Sequence, residues 1–360
     1  MGWGRRVALF AVAAVVVAGI TLLLVSVLGD GGSKTPASTS HPHVHVEPEV
    51  AFALPPASLG CTGAVALPGG ATRLPMTVSS VAGQVAESVN VCIGGQGPFP
   101  FVLDSGAGES TIDAHLAKRL HLADAGQVSL FAGVGCTGTA QPVSVASWNV
   151  EGFTLAPQQL TAATLPEIGG KGEPMGLLGS DVLSRFGAVR IDFRAGALVL
   201  PGPQGAPLSG FTPVQGPVGP PPPAVLTGGQ GTTVPLSVTP IPGDVSLNVM
   251  VRFGTGPKRS FTVDTGSSAS VVASSVARTE SLAGTDLAQR QATVCSVITV
   301  PLVHSGPWSL TGVPLYPQLL GSTSFGAISL GGLEGLLGSD QLQRFGWVVF
   351  DYTGARMVLG

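Results

Sequence analysis

Two stretches of the 360-residue chain are one pattern written twice. Phe101-Val102-Leu103-Asp104-Ser105-Gly106-Ala107 returns as Phe261-Thr262-Val263-Asp264-Thr265-Gly266-Ser267, 160 residues later. Gly176-Leu177-Leu178-Gly179-Ser180-Asp181 returns unchanged as Gly335-Leu336-Leu337-Gly338-Ser339-Asp340, and Arg185-Phe186-Gly187 returns as Arg344-Phe345-Gly346. Asp192 and Asp351 each precede a closing apolar run, Ala197 to Leu200 and Arg356 to Leu359. Anchors in one order at one spacing mean two copies of one folding unit. The copies are assigned to residues 70–200 and 225–360, with a Pro/Gly-rich linker over 201–224 that ends in Pro220-Pro221-Pro222-Pro223. A proline-rich segment is extended at about 3.1 Å per residue, long enough for the copies to face each other within one chain.

Each copy reads as mostly β. The chain has 52 glycines and 30 prolines, roughly twice the usual share of about 12%. Short apolar runs at Val89 to Ile93, Phe99 to Leu103, Gln141 to Trp148 and Ala188 to Phe193 are bounded by turn residues, as strands are. Brief helices are expected at Ala114 to Leu120, Val182 to Phe186, Ala269 to Ala277 and Gln341 to Phe345. Ser180 or Asp181, and Ser339 or Asp340, suit the N-cap of the second helix in each copy. Asp192 and Asp351 read as turn residues.

The amino terminus has a different character. Val7 to Leu28 carries no charge and follows Arg5-Arg6. A helix of that length spans about 33 Å, enough for a hydrocarbon core of about 30 Å. The expectation is a cytoplasmic tail over 1–6, a transmembrane anchor over 7–28 and the remainder outside the membrane. A cleaved signal sequence, which would make the protein secreted, is the alternative. Residues 29–69 read as a stalk. His41, His43 and His45 alternate within it, but without a fixed fourth group they do not make a metal site. No metal or cofactor is expected anywhere. Charged residues are 10% of the chain and its net charge is −3, so nucleic acid is not an expected partner.

The chemistry lies in the repeated turn. An Asp after an apolar run, followed by a hydroxyl residue and Gly, puts a carboxylate on a tight turn at a strand's end. Gly supplies permissive backbone and the hydroxyl can bond across a symmetry axis. If the copies face each other about a pseudo-dyad, Asp104 and Asp264 meet. Two carboxylates about 3 Å apart share one proton. The ionised member can then activate a water while the protonated one polarises a carbonyl.

Hydrophobic-Asp-Ser/Thr-Gly-Ala/Ser followed downstream by Leu-Leu-Gly resembles the pepsin and retropepsin family of aspartic proteases. The units are most similar to bacterial retropepsin-like domains. The resemblance implies a bilobal pepsin-like acid protease fold of two retropepsin-like β-barrel lobes, here with an N-terminal transmembrane helix. It implies that Asp104 and Asp264 are catalytic and that Ser105, Gly106, Thr265 and Gly266 support the dyad. Leu-Leu-Gly at 177–179 and 336–338 would pack behind each catalytic turn. Substrate-covering flaps are expected around Gly133, Gly135, Cys136 and Gly138, with a counterpart near Cys295. Neither Tyr316 nor Tyr352 is placed to serve as a flap tyrosine. Trp148 and Trp308 read as core, and His115, His121 and His304 as surface or structural residues.

Cys61, Cys92, Cys136 and Cys295 are an even set in an exported chain, which suggests two disulfides in one of three pairings. Cys136 and Cys295 occupy equivalent repeat positions, and a bond between them would tie the flaps together. The functional expectation is a monomeric, membrane-tethered, extracytoplasmic aspartic endopeptidase acting on peptide or protein substrates. The alternative is a non-catalytic peptide-binding or cell-surface interaction module on the same fold. Pairing of each unit with a unit of a second chain is a third reading, which the long linker and the unlike turns disfavour.

Overall fold

The computed structural model describes residues 61–360 apart from 82–83, 134–135, 166–174, 207–212, 242–243, 285–289, 294–296 and 324–332. The expected anchor over 7–28 lies outside the described residues. Among the described residues no helix is long and apolar enough to cross a membrane.

The chain is mostly β, and the two copies are joined by a shared antiparallel sheet. Its strand order is Thr72–Pro75, Ala197–Leu200, Ala188–Asp192, Trp347–Asp351, Arg356–Leu359 and the first half of Thr232–Ile241. At its centre Arg190 pairs with Val349. These are equivalent positions of the repeat, so the pseudo-dyad passes through that pair. Runs such as Ala-Leu-Val-Leu at 197–200 are buried at every position. A strand covered on both faces carries a continuous apolar run rather than an alternating one.

The linker packs onto this sheet instead of hanging free. The short helix Ala224–Thr227, where the linker passes into the second copy, buries Leu226 against Ala188, Val199, Val349 and Val358. Arg190 donates to Leu226 O at 2.9 Å, and Val218 N donates to Gly354 O at 2.9 Å.

Within the first copy, strands Gln84–Ile93 and Gln96–Asp104 form a hairpin. Its two-residue turn is Gly94-Gly95, both at positive φ, as tight hairpins require. Gly176–Gly179 lies parallel to Gln96–Asp104, with Gly179 opposite Asp104; Gly335–Gly338 lies parallel to Lys258–Asp264, with Gly338 opposite Asp264. The Leu-Leu-Gly segments therefore run beside the strands that carry the repeated turns. Gly176 and Gly335 leave room for the buried rings of Phe101 and Phe261. Trp148 and Trp308 are buried at matched positions, and each donates its ring N–H at 2.8 Å, to Ala156 O and Tyr316 O.

Three expectations are corrected. No closed barrel is seen among the described residues: each sheet runs as an open path, the second lobe's strands continuing into the shared sheet through Thr232–Ile241 while the first lobe's form a sheet of their own. The helix expected from Ala269 begins only at Ser274; Val271–Ala273, rich in β-branched residues, is a strand. Its counterpart Ala114–Arg119 starts after Asp113, whose side chain accepts from His115 N and Leu116 N. Finally, Gly179 and Gly338 occupy the N-caps of the helices Ser180–Leu183 and Ser339–Leu342. Ser180, Asp181, Ser339 and Asp340 lie inside the first turn, where their side chains make tertiary bonds described below.

Asp192 and Asp351, expected in turns, are instead the last residues of the strands Ala188–Asp192 and Trp347–Asp351, each reaching into the turn that follows. Their carboxylates accept from Ala195 N at 2.9 Å and Gly354 N at 2.7 Å, and they pair with Arg190 and Arg356.

Candidate active site

Each parallel strand pair ends at its own lobe's Asp-Ser/Thr-Gly turn, and the two turns meet across the pseudo-dyad. Each buried hydroxyl crosses to the other lobe. Ser105 Oγ donates to Val263 O at 2.9 Å, and Thr265 Oγ1 donates to Leu103 O at 2.7 Å. Each hydroxyl also accepts from the opposite backbone: Ser105 N donates to Thr265 Oγ1 at 3.0 Å, and Thr265 N donates to Ser105 Oγ at 3.1 Å. Four hydrogen bonds thus clamp the turns to each other with no exposed member.

The two carboxyls face each other across the dyad, Asp264 against Gly106 and Asp104 against Gly266. Asp104 Oδ1 accepts from Gly106 N at 3.0 Å and Ala107 N at 2.8 Å, and Asp264 Oδ1 accepts from Ser267 N at 2.9 Å. Gly106 and Gly266 matter for space rather than for backbone freedom, since neither has a positive φ. A β carbon on Gly106 would stand 2.5 Å from Asp264 Cγ, and one on Gly266 would strike the Asp104 carboxyl. The glycines are what let each carboxylate approach the opposite turn.

Burial raises both carboxyls above the ordinary range. For Asp264 the Asp104 charge adds to burial and holds it well above that range. Asp104 is raised as well, against the opposing pull of the Ala107 and Gly106 amides and the Asp264 carboxyl. Two such carboxyls set against each other can share a single proton.

A second layer of polar residues holds the turns from behind, and sequence reasoning missed its roles. Ser180 Oγ donates to Ser105 O at 3.0 Å and Ser339 Oγ to Thr265 O at 3.1 Å. Asp181 accepts from Ser110 Oγ at 2.6 Å and Gln158 Nε2 at 3.0 Å; Asp340 accepts from Ser270 Oγ at 2.7 Å and Gln318 Nε2 at 2.8 Å. Burial pushes the Asp181 carboxyl up to about 6. The exact repetition of Ser180-Asp181 as Ser339-Asp340 was the available signal. Tyr352 OH lies 3.2 Å from Ser180 Oγ, and Glu87 meets Ser339.

Each lobe also carries a hairpin where a flap was expected. Ser129–Gly133 pairs with Cys136–Val145, so Gly133, Cys136 and Gly138 lie on the first hairpin. Arg290–Thr293 pairs with Val297–Val300 in the second. Gly135 and Cys295 lie outside the described residues. Of the cysteines, Cys61 and Cys92 are disulfide-bonded, with Cα atoms 6.0 Å apart. Among the described residues no cluster of His, Cys, Asp or Glu has the makings of a metal site.

Residues 89–182 match the family model described as Aspartyl protease. No curated protein matches the chain at a significant level. Among solved structures, the aspartic proteinase from Irpex lacteus is 12% identical with a TM-score of 0.44, over 81% of this chain and 97% of that one. Basic 7S globulin from soybean is 15% identical with a TM-score of 0.40, over 81% and 95%. The matched segment spans the first Asp-Ser-Gly turn and its Leu-Leu-Gly strand, and the second copy repeats both motifs, so both halves of the chain are similar to the pepsin- and retropepsin-like aspartic proteases.

Proposed function

We propose that the chain is an extracytoplasmic aspartic endopeptidase whose two lobes each supply one catalytic carboxyl. The observation that carries this reading is the pair Asp104 and Asp264, brought face to face by the cross-lobe bonds of Ser105 and Thr265, with each carboxyl lying against the glycine of the opposite turn. Asp104, ionised, takes a proton from a water lying between the carboxyls, and that water attacks the scissile carbonyl carbon. Asp264 donates its proton to the carbonyl oxygen as the tetrahedral intermediate forms. Collapse of the intermediate breaks the C–N bond, with a proton delivered to the leaving amine. The hairpins Ser129–Val145 and Arg290–Val300 cover the substrate.

The proposed layout puts a tail at 1–6, an anchor at 7–28, a stalk at 29–69, lobes at 70–200 and 225–360, and the linker at 201–224. Arg5-Arg6 before an uncharged apolar run supports export. The Cys61–Cys92 disulfide supports an oxidising compartment outside the cytoplasm.

The test is peptide hydrolysis by the detergent-solubilised chain, from about pH 3 to 7, with a mixed peptide library. Asp104→Asn and Asp264→Asn should each lower kcat by about a thousandfold or more, and a statine-type transition-state mimic should block the wild type. Cleavage that survives either substitution would sink the shared dyad. A folded wild type that cleaves nothing but binds peptides would favour a non-catalytic binding module instead.

A further inference from the structure

Ser180 and Ser339 are equivalent residues of the repeat, both fully buried. Each reaches the carbonyl oxygen of the residue that follows a dyad aspartate, Ser105 O at 3.0 Å and Thr265 O at 3.1 Å. A carbonyl only accepts, and a hydroxyl has one hydrogen to give. Any further group bonded to these hydroxyls must therefore be a donor. In the first lobe that group is Tyr352 OH, at 3.2 Å. Burial raises the phenol above its usual range, so it keeps its hydrogen throughout the working range. In the second lobe the group is Oε1 of Glu87, on strand Gln84–Ile93 of the first lobe. An ionised carboxylate has nothing to donate.

We infer that Glu87 is a positioning residue for the second catalytic turn: it holds a proton and donates it to Ser339 Oγ, which frees the Ser339 hydrogen for Thr265 O. The inference deepens the protease reading and rests on it for its catalytic consequence. Glu87 is completely buried, and its Oε2 has no hydrogen-bond partner among the described residues. A charge there would be poorly solvated. The titratable groups around it are all acidic. Asp104 ends the neighbouring strand Gln96–Asp104, Asp264 lies on the facing turn, and Asp340 follows Ser339 on its helix. The other neighbouring strand, Thr77–Val81, brings no titratable group. Burial, and the negative charge carried by the Asp264 and Asp104 pair, raise Glu87 well above the usual 4.5. Its counterpart in the second copy is Leu247, also fully buried, so the two turns are held by different chemistries. Were Glu87 to ionise, it would draw the Ser339 hydrogen to itself and leave Thr265 O without that bond.

The test compares the full detergent-solubilised chain with Glu87→Gln, which retains an N–H donor, and Glu87→Leu, which installs the apolar residue found at 247. In thermal melts, both unfolded and folded wild type hold the Glu87 proton below about pH 4.5. Above that the unfolded chain releases it while the folded chain keeps it, so wild-type stability falls with rising pH. The Tm of Glu87→Gln minus that of wild type should therefore grow between pH 4.5 and 7; a constant difference would overturn the inference. In peptide hydrolysis at acid pH, Glu87→Leu should lower kcat about tenfold with KM nearly unmoved, and Glu87→Gln should recover most of that loss. Equal kcat in Glu87→Leu and wild type would also overturn it. If wild type hydrolyses nothing, the protease reading falls, and the melting comparison still decides where the proton lies.

Discussion

Ser105 and Thr265, 160 residues apart, each accept from the other's backbone N–H and donate to the carbonyl two residues before the other, Val263 O and Leu103 O. Neither side chain has any exposed surface. The dyad geometry is therefore a property of the lobe junction: the carboxyls stay in register only while these four bonds and the strand pair Ala188–Asp192 with Trp347–Asp351 hold the copies together.

Replacing Thr265 by Ala removes the donor to Leu103 O and the acceptor for Ser105 N at once. Two buried groups then lack partners, at about 1–3 kcal/mol each. Urea unfolding of Thr265→Ala should show a loss of about 2–4 kcal/mol. Thr265→Ser keeps the oxygen and should lie within about 1 kcal/mol of wild type. A Thr265→Ala chain as stable as wild type would show that the clamp does not hold the junction.

Gly266→Ala tests space rather than backbone freedom. The added methyl meets the Asp104 carboxyl, yet the backbone at 266 is one that alanine adopts without strain. The expected result is a folded chain, melting within a few degrees of wild type, whose kcat is about a hundredfold lower because the carboxyl pair is displaced. Near-normal kcat would mean that the carboxyls have room the structure does not show.

The duplication made the meeting of Asp104 and Asp264 legible, because two matched turns in facing copies must come close to the symmetry axis. It also exposed the cross-dyad role of the hydroxyls at 105 and 265. The reason for the glycines was less legible: what a missing β carbon makes room for depends on the opposite lobe. Ser180 and Asp181 looked like helix caps because local pattern favours that reading, and only tertiary contacts show them bracing Ser105 and binding Ser110. Glu87 left a trace that went unread. It falls in the inward phase of Val85, Val89 and Val91, where a carboxyl is out of place. The linker's composition suggested an extended tether, but its bond to the second copy, Val218 N to Gly354 O, cannot be read from proline content.

Asp181 provides a pH test separate from the dyad. Its carboxyl is raised from 3.8 to about 6 by burial. Between those values the unfolded chain gives up the proton while the folded chain retains it, so this group's contribution to stability declines as pH rises through the window. Asp181→Asn removes the dependence. The Tm of Asp181→Asn minus that of wild type should climb between pH 3.8 and 6 and level off above. A level difference across that window would mean that Asp181 titrates as an ordinary exposed carboxyl.

The Cys61–Cys92 bond ties the segment before the first lobe to the hairpin strand Gln84–Ile93. It closes a loop with a sequence separation of 31 residues, for which the chain-entropy argument gives about 3–4 kcal/mol of stabilisation. The same segment is held by Ala64 N donating to Glu151 O at 2.7 Å and by the pairing of Val65–Ala66 with Thr72–Arg73. The pairing lies at the margin of the shared sheet, the other two contacts tie the segment to the first lobe's own sheet, and none touches either turn of the dyad. Cys61→Ser/Cys92→Ser should therefore lower Tm by several degrees while leaving KM and kcat below the new melting range close to wild type. A loss of kcat without a loss of Tm would show that this bond acts on the catalytic turns rather than on the stability of the lobe.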